Sequence, residues 1–211
     1  MTLLSLETAA YGNSSIAIFD DDKFIAQEFM SSGRATSIEL LPAVQTLLEK
    51  ANVEKVDTIA VDCGPGSFTG IRVGIAAARG LADGWSAKVV GISQFDFFSD
   101  LTDEKTKQLI LIDAKAGGGF YYELRGTVLQ NERGFILGKN IAGTLVAANE
   151  KTIICGEFDD EILVGTNWQH IKNIPVADAR SVAKAAMKNI SEGNEQSAEA
   201  IYLHTTIKAP K

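Results

Sequence analysis

Residues 62–80 read DCGPGSFTGIRVGIAAARG, a strand end, a glycine-rich turn and the start of a helix. The run before them, VDTIAVDC, alternates and then accumulates β-branched residues, which predicts a strand that stops at the turn. A helix is predicted from about Gly70 to Asp83. Glycine spacing first suggests a phosphate loop, but GxxxxGK needs a lysine, and none occurs between Lys55 and Lys88. The dinucleotide pattern GxGxxG starts well at Gly64 and Gly66 and then meets Thr69 in place of its third glycine. Two readings stay open. A strand-to-helix turn can present free N–H groups to an anion, here with Gly64, Gly66, Ser67 and Thr69 beside Glu7 and Thr8 at the end of the first strand. Alternatively the glycines supply only a tight turn and close packing.

On a helical wheel, Arg72, Arg79 and Asp83 share one narrow stripe. The small and apolar residues Gly70, Ile71, Val73, Gly74, Ile75, Ala77, Ala78, Leu81 and Ala82 cover roughly two thirds of the circumference. A helix lying on its own sheet buries a narrower arc, so a second apolar side is left over. The step Gly70, Gly74, Ala78 would let another helix approach closely, and the expectation is a protein partner on that side. The competing expectation is burial against the second half of the same chain.

Outward from this stretch, Leu3 to Leu6, Ser15 to Phe19 and Phe24 to Phe29 read as strands broken by YGN and DDDK turns, an antiparallel meander. Asp20 to Asp22 form the solvated hairpin turn. From Thr36 to Ala51, Leu40, Leu41, Val44, Leu47, Leu48 and Ala51 recur at helical spacing. Ser37 is the expected N-cap and Pro42 is expected to bend the second turn. AKVVGIS is a further strand, with Gly84 placed to stop the preceding helix. Meander, helix, strand, helix and strand imply an α/β fold with a mixed sheet. The polar SDLTDEKTKQ marks a boundary, giving halves of 1–100 and 101–211. The second half holds the strands LILIDA, FYYELRG and TIICGE, and a last helix from Asp178 with Val182, Ala183, Ala186, Met187 and Ile190 on one face, able to pack back on the first half. The closing AIYLHTTI has strand or docking potential.

The chain of 211 residues is 45% hydrophobic and 22% charged, which excludes wholesale disorder. The start lacks a basic n-region, and no window approaches a membrane span, so a cytoplasmic location is expected. Cys63 and Cys155 form neither a disulfide framework nor a thiolate metal site. Net charge is -7, from 27 acidic and 20 basic residues without a basic stripe. Direct nucleic-acid binding needs several phosphate contacts and is therefore weak unless a basic partner supplies them. His170 and His204 lack ligand spacing and read as surface histidines. Asp62 and Asp113, like Glu7, end strands, where carboxylates that move protons or hold metals are found, but carboxylates there also cap turns. Ser67 and Thr69 have no assignable base.

DCGPGSFTGIRVGIAAARGLA resembles the GPGSFTGxRxGxxxAKGLA signature of the TsaB family, also called YeaZ. ATSIELLPAVQTLLEKA is similar to its HSxxLLP helix, LIDAKAGGGFYYEL to its DARMGEVYW segment and AIYLH to its PxYLR tail. The resemblance implies the actin, Hsp70 and sugar-kinase (ribonuclease H-like) fold of two related halves. It implies a non-catalytic subunit in making N6-threonylcarbamoyladenosine beside the tRNA anticodon, acting with its paralogue TsaD and the ATPase TsaE. It further implies an interface on the two N-terminal helices, also used for homodimers, here Leu41, Val44, Leu48, Gly70, Val73, Gly74, Ala77, Ala78 and Leu81. No metal or cofactor of its own is expected, beyond weak ATP or ADP with magnesium at a subunit junction. TsaD binds its metal through a histidine pair, where this chain has Thr36 and Leu40. Thr36, Glu7, Lys115, Gly118, Ala200 and His204 depart from the family pattern. The alternatives are a stand-alone phosphotransferase or metallopeptidase of the same superfamily, with Glu7 and Asp113 at a metal-bound nucleotide, and a homodimer of another pathway.

Overall fold

Leu4 and Leu6 alternate with Leu3, Ser5 and Glu7 along β1 (Thr2–Glu7), so both faces of this strand are buried. The computed structural model describes residues 1–12, 14–31, 35–98, 107–115, 118–126, 132–141, 152–156, 158, 161, 164–171 and 177–203. β1 pairs antiparallel with β2 (Ser14–Asp20), which pairs with β3 (Lys23–Met30). On its other side β1 runs parallel to β4 (Thr58–Asp62), and β4 to β5 (Lys88–Ile92). The sheet order is therefore β3-β2-β1-β4-β5.

Helix α1 (Thr36–Ala51) connects β3 to β4, and α2 (Phe68–Trp85) connects β4 to β5. Both lie on the face that presents Leu4, Leu6, Ile16, Ile18, Ile59 and Val61. α3 (Ala179–Glu192) covers the opposite face, where Ser5 Oγ donates to Ala179 O at 2.7 Å and Ala179 N donates to Ser15 Oγ at 2.9 Å. Asp178 caps it, accepting from Ser181 N at 3.0 Å.

Two local expectations are corrected. α1 starts one residue before Ser37, with Ala35 in the cap position and no side-chain cap bond. Thr36 turns inward instead, its hydroxyl donating to Ser31 O at 2.9 Å and meeting Ser14 Oγ at 3.1 Å. Gly84 does not end α2. The helix runs to Trp85 and stops at Ser86, which takes the left-handed conformation at φ 55. α1 is continuous through Pro42, whose carbonyl accepts from Thr46 Oγ1 at 3.0 Å.

The chain divides into two compact units, Met1–Phe97 with Val176–Ile201, and Phe98–Pro175 with Tyr202–Lys211. The second contains β6 (Gln108–Asp113), β7 (Gly119–Arg125), β8 (Glu132–Leu137), β9 (Thr152–Cys155) and β10 (Trp168–Ile171). β6, β7 and β8 form an antiparallel meander, while β9 and β10 add parallel to β6. Its order, β8-β7-β6-β9-β10, repeats that of the first unit strand for strand. The buried Glu123 there is paired by Arg125 and Arg133, two partners that no spacing in the sequence announced. Of the expected boundary at 99–108, residues 99–106 lie outside the described residues and Gln108 already opens β6; His204 with the rest of the tail also lies outside them. Of the segment 200–207 with strand or docking potential, the described residues 200–203 form no strand, and Ile201 N donates to Cys63 O at 2.8 Å.

Candidate functional site

The glycine turn is closed onto the end of β1. Ser67 N donates to Ala9 O at 2.6 Å, and Thr8 Oγ1 donates to Gly70 O at 2.8 Å. Gly64 joins Pro65 by a cis peptide bond and holds φ at 96, in the region that favours glycine. A Cβ at Gly66 would collide with the Ala9 carbonyl, and one at Gly70 with the Thr8 carbonyl. The donors an anion would need are turned inward: Gly64 N to Asp62 at 2.6 Å, Gly70 N to Ser67 Oγ at 3.2 Å, and Ile71 N to Ser67 O at 2.9 Å. Of the six residues grouped as anion contacts, Glu7, Thr8, Gly64 and Ser67 are engaged within the chain, Gly66 packs on Ala9, and Thr69 is exposed.

Glu7 and Asp62 are fully buried beneath this turn. Glu7 Oε1 accepts from Ala9 N and Ala10 N, each at 2.7 Å, and Asp62 Oδ2 accepts from Gln94 Nε2 at 2.8 Å. Asp113 accepts instead from Lys115 N at 2.7 Å and Lys115 Nζ at 2.6 Å. Burial opposes its ionisation, but the Lys115 bonds outweigh that and hold its carboxyl below the usual range. Burial pushes the Cys63 thiol up to about 12 and the Cys155 thiol up to about 11, so neither is a nucleophile at neutral pH. His170 is not a bare surface ring: it stacks on Phe158 at 4.1 Å between centroids and meets Gly156 O at 3.0 Å. Among the described residues, no three His, Cys, Asp or Glu side chains converge to hold a metal.

The helix pair carries the other candidate surface, and it corrects the expected geometry. Gly70 and Gly74 do admit a close approach, but what approaches is the chain's own Thr8, by its carbonyl at Gly70 and its side chain at Gly74. A Cβ on Gly74 would strike Thr8 Oγ1 and come within 3.2 Å of Val61 Cγ2, and Ala78 is fully buried. A wheel shows which arc is apolar; it does not show which part of that arc the sheet takes. The half-buried stripe that remains on α2 is Val73, Ala77, Leu81 and Trp85, one residue per turn. Leu41, Val44, Leu48 and Val53 face Leu81 and Trp85 across a groove of about 680 Å³, rimmed by Gln45, Glu49 and Glu54. Leu41 is 54% exposed, Ile38 one turn before it on α1 is 76% exposed, and Phe68 at the start of α2 is 49% exposed. Phe24, Ile25 and Phe29 on edge strand β3 are exposed too, so exposure alone does not single out the helices; the groove does. Trp85, which the sequence reading missed, was legible as the next four-residue step after Leu81.

Two five-stranded sheets of the same order, each with a central meander strand and two parallel additions, define a protein of the actin, Hsp70 and sugar-kinase fold. Two solved structures share it: a Pseudomonas aeruginosa protein described as similar to peptidase YEAZ, with TM-score 0.72 and 22% identity over 96% of this chain and 99% of that one, and YeaZ from the same organism, with TM-score 0.66 and 21% identity over the same shares. In sequence, the chain is 30% identical over 177 residues to the tRNA threonylcarbamoyladenosine biosynthesis protein TsaB of Escherichia coli, covering 80% of this chain and 73% of the relative. It is 28% identical over 174 residues to TsaB of Haemophilus influenzae, with the same coverage. The family described as TsaD, tRNA N6-adenosine threonylcarbamoyltransferase, matches residues 30–134. The chain belongs to the TsaB family. No helix among the described residues is long and apolar enough to cross a membrane.

Proposed function

We propose that this chain is a non-catalytic cytoplasmic subunit in the biosynthesis of N6-threonylcarbamoyladenosine in tRNA, and that it acts by packing α1 and α2 against TsaD. The observation that carries this reading is the groove between the helices, where Leu41 of α1 stays largely exposed opposite Leu81 and Trp85 of α2. Apolar side chains lining a groove contribute roughly 25 cal/mol per Å² when a partner covers them. The partner-facing set is Leu41, Val73, Ala77, Leu81 and Trp85, supported from beneath by Val44 and Leu48; Gly70, Gly74 and Ala78 hold α2 in place. Alone, the same face joins two copies of the chain. TsaE enters through TsaD, and tRNA is met indirectly, in keeping with a net charge of -7. No cofactor is needed for this role. The phosphotransferase or peptidase alternative is not favoured, because Glu7, Asp62 and Asp113 are bonded within the chain and both thiols are neutral.

Replacing Leu41 and Leu81 together by lysine tests the reading, since Leu41 is largely exposed and Leu81, at the edge of the core, is half-buried, so that each charge can reach solvent. The expected result is an unchanged circular dichroism spectrum with affinity for TsaD weakened by about 2 kcal/mol or more, roughly 30-fold in Kd. Undiminished capture of TsaD by the doubly substituted chain would refute it. Nucleoside analysis of bulk tRNA from a deletion strain tests the pathway separately, and a normal level of the modified adenosine would remove it.

A further inference from the structure

Leu6 and Val61 are partners in the parallel ladder, so Glu7 and Asp62, the next residue on each strand, leave adjacent strands side by side. Neither reaches solvent. The local donors are used on other oxygens: Ala9 N and Ala10 N on Glu7 Oε1, Gly64 N on Asp62 Oδ1, and Gln94 Nε2 on Asp62 Oδ2. With both carboxyls ionised, Glu7 Oε2 is buried without any hydrogen-bond partner. Among the described residues no cation bonds to either carboxyl, although the Arg79 charge is felt at the neighbouring Cys63 thiol. Asp96, in the turn after β5, adds negative potential at Asp62, and the Cys63 thiol beside it is neutral. On α2, Arg72 lies over the Phe68 ring at 3.7 Å and Arg79 donates to Ala198 O at 2.6 Å. On α3, Arg180 pairs with Asp178. Two bare carboxylates side by side in a fully buried site would repel strongly, and such pairs keep one proton.

We propose that Glu7 and Asp62 hold a single proton between them, with Glu7 Oε2 donating to Asp62, and that this proton is a structural ligand tying the β1 turn to the glycine turn and the start of α2. It is a proton-binding site rather than a catalytic one. Burial first, then the Asp62 charge and the bond to it, push the Glu7 carboxyl well above its ordinary value. Asp62 is also raised by burial, but the bonds from Glu7, Gly64 and Gln94 work against that, so the proton sits on Glu7.

The consequence is a stability that falls with alkali. A carboxyl whose folded pKa lies above its unfolded value binds its proton more tightly when native. Its contribution is complete below the ordinary value of 4.5 and is lost as pH climbs through the raised value of Glu7. Carboxyl carbon-13 chemical shifts of the full chain, followed by NMR from about pH 5 to pH 9, read the proton directly. One neutral and one ionised carboxyl at neutral pH is the expected result. In Glu7→Gln the amide donates the same hydrogen bond without a titrating proton. Its melting temperature should stay level from about pH 6 to pH 9, where the wild type loses several degrees. Two ionised carboxylates at neutral pH, or a wild-type melting profile parallel to that of Glu7→Gln, would overturn the proposal. If Glu7→Gln fails to fold, the wild-type titration decides alone.

Discussion

Gly70 and Gly80 lie ten residues apart on one helix and do opposite things. A side chain at Gly70 would have to displace the Thr8 carbonyl, which is backbone and cannot swing aside. Gly70→Ala is therefore expected to cost about 1–3 kcal/mol in denaturant unfolding, the usual penalty of overpacking. At Gly80 nothing lies within 4 Å of the added carbon, and the position is exposed inside the helix. Gly80→Ala is expected to stabilise by about 0.5–1 kcal/mol on the same measurement, since alanine gives up less backbone freedom. The identity of both residues was legible; their opposite environments were not. Thr36 teaches the same lesson, because a hydroxyl that departs from the family pattern is here bonded to Ser14 and Ser31 and buried.

At the scale of elements, α2 is the case where periodicity succeeded and orientation failed. The apolar arc was legible from spacing, and so was the conclusion that one sheet could not bury all of it. Which part of the arc the sheet takes depends on Thr8, whose carbonyl meets Gly70 and whose hydroxyl meets Gly74, a contact separated by more than sixty positions in sequence. The helix end was misplaced for a related reason. Gly84 looks like a stop, but the left-handed residue is Ser86, whose N–H bonds to Ala82 O. Ser86→Gly should raise stability by about 1 kcal/mol, the approximate cost of left-handed geometry for a residue with a Cβ. A chemical melt unchanged or shifted downward would show that the Ser86 side chain contributes something the backbone does not reveal.

At the scale of the whole molecule, the first unit is not contiguous in sequence: residues 1–97 need 176–201 to close the second face of their sheet. Leu3, Ser5, Ala17 and Phe19 are buried, and Ser5 and Ser15 bond directly to the start of α3. The segment after α3 then returns to β5, with Gly91 N donating to Gln196 O at 2.9 Å, and to the glycine turn, with Ile201 N donating to Cys63 O at 2.8 Å. A chain truncated after residue 175 would leave that face bare. It is expected to lose cooperative unfolding and to aggregate, which circular dichroism melts and size-exclusion chromatography would detect. A soluble truncated chain with a native-like melt would mean that α3 adds little to the unit.

Local order along the chain decided the meanders, the helices and the α/β class, because alternation and helical spacing are properties of neighbours and survive without tertiary context. The family signature was legible for the same reason: it is a continuous segment whose turn chemistry is written in adjacent residues. Tertiary structure alone decided that Gly70 and Gly74 serve the chain's own Thr8, that Glu7 lies against Asp62, that Glu123 is paired with Arg125 and Arg133, and that residues 176–201 complete the first unit. Each of these joins groups that share a place only after strands pair in register. Burial and charge then act on the assembled neighbourhood, which no window of sequence contains.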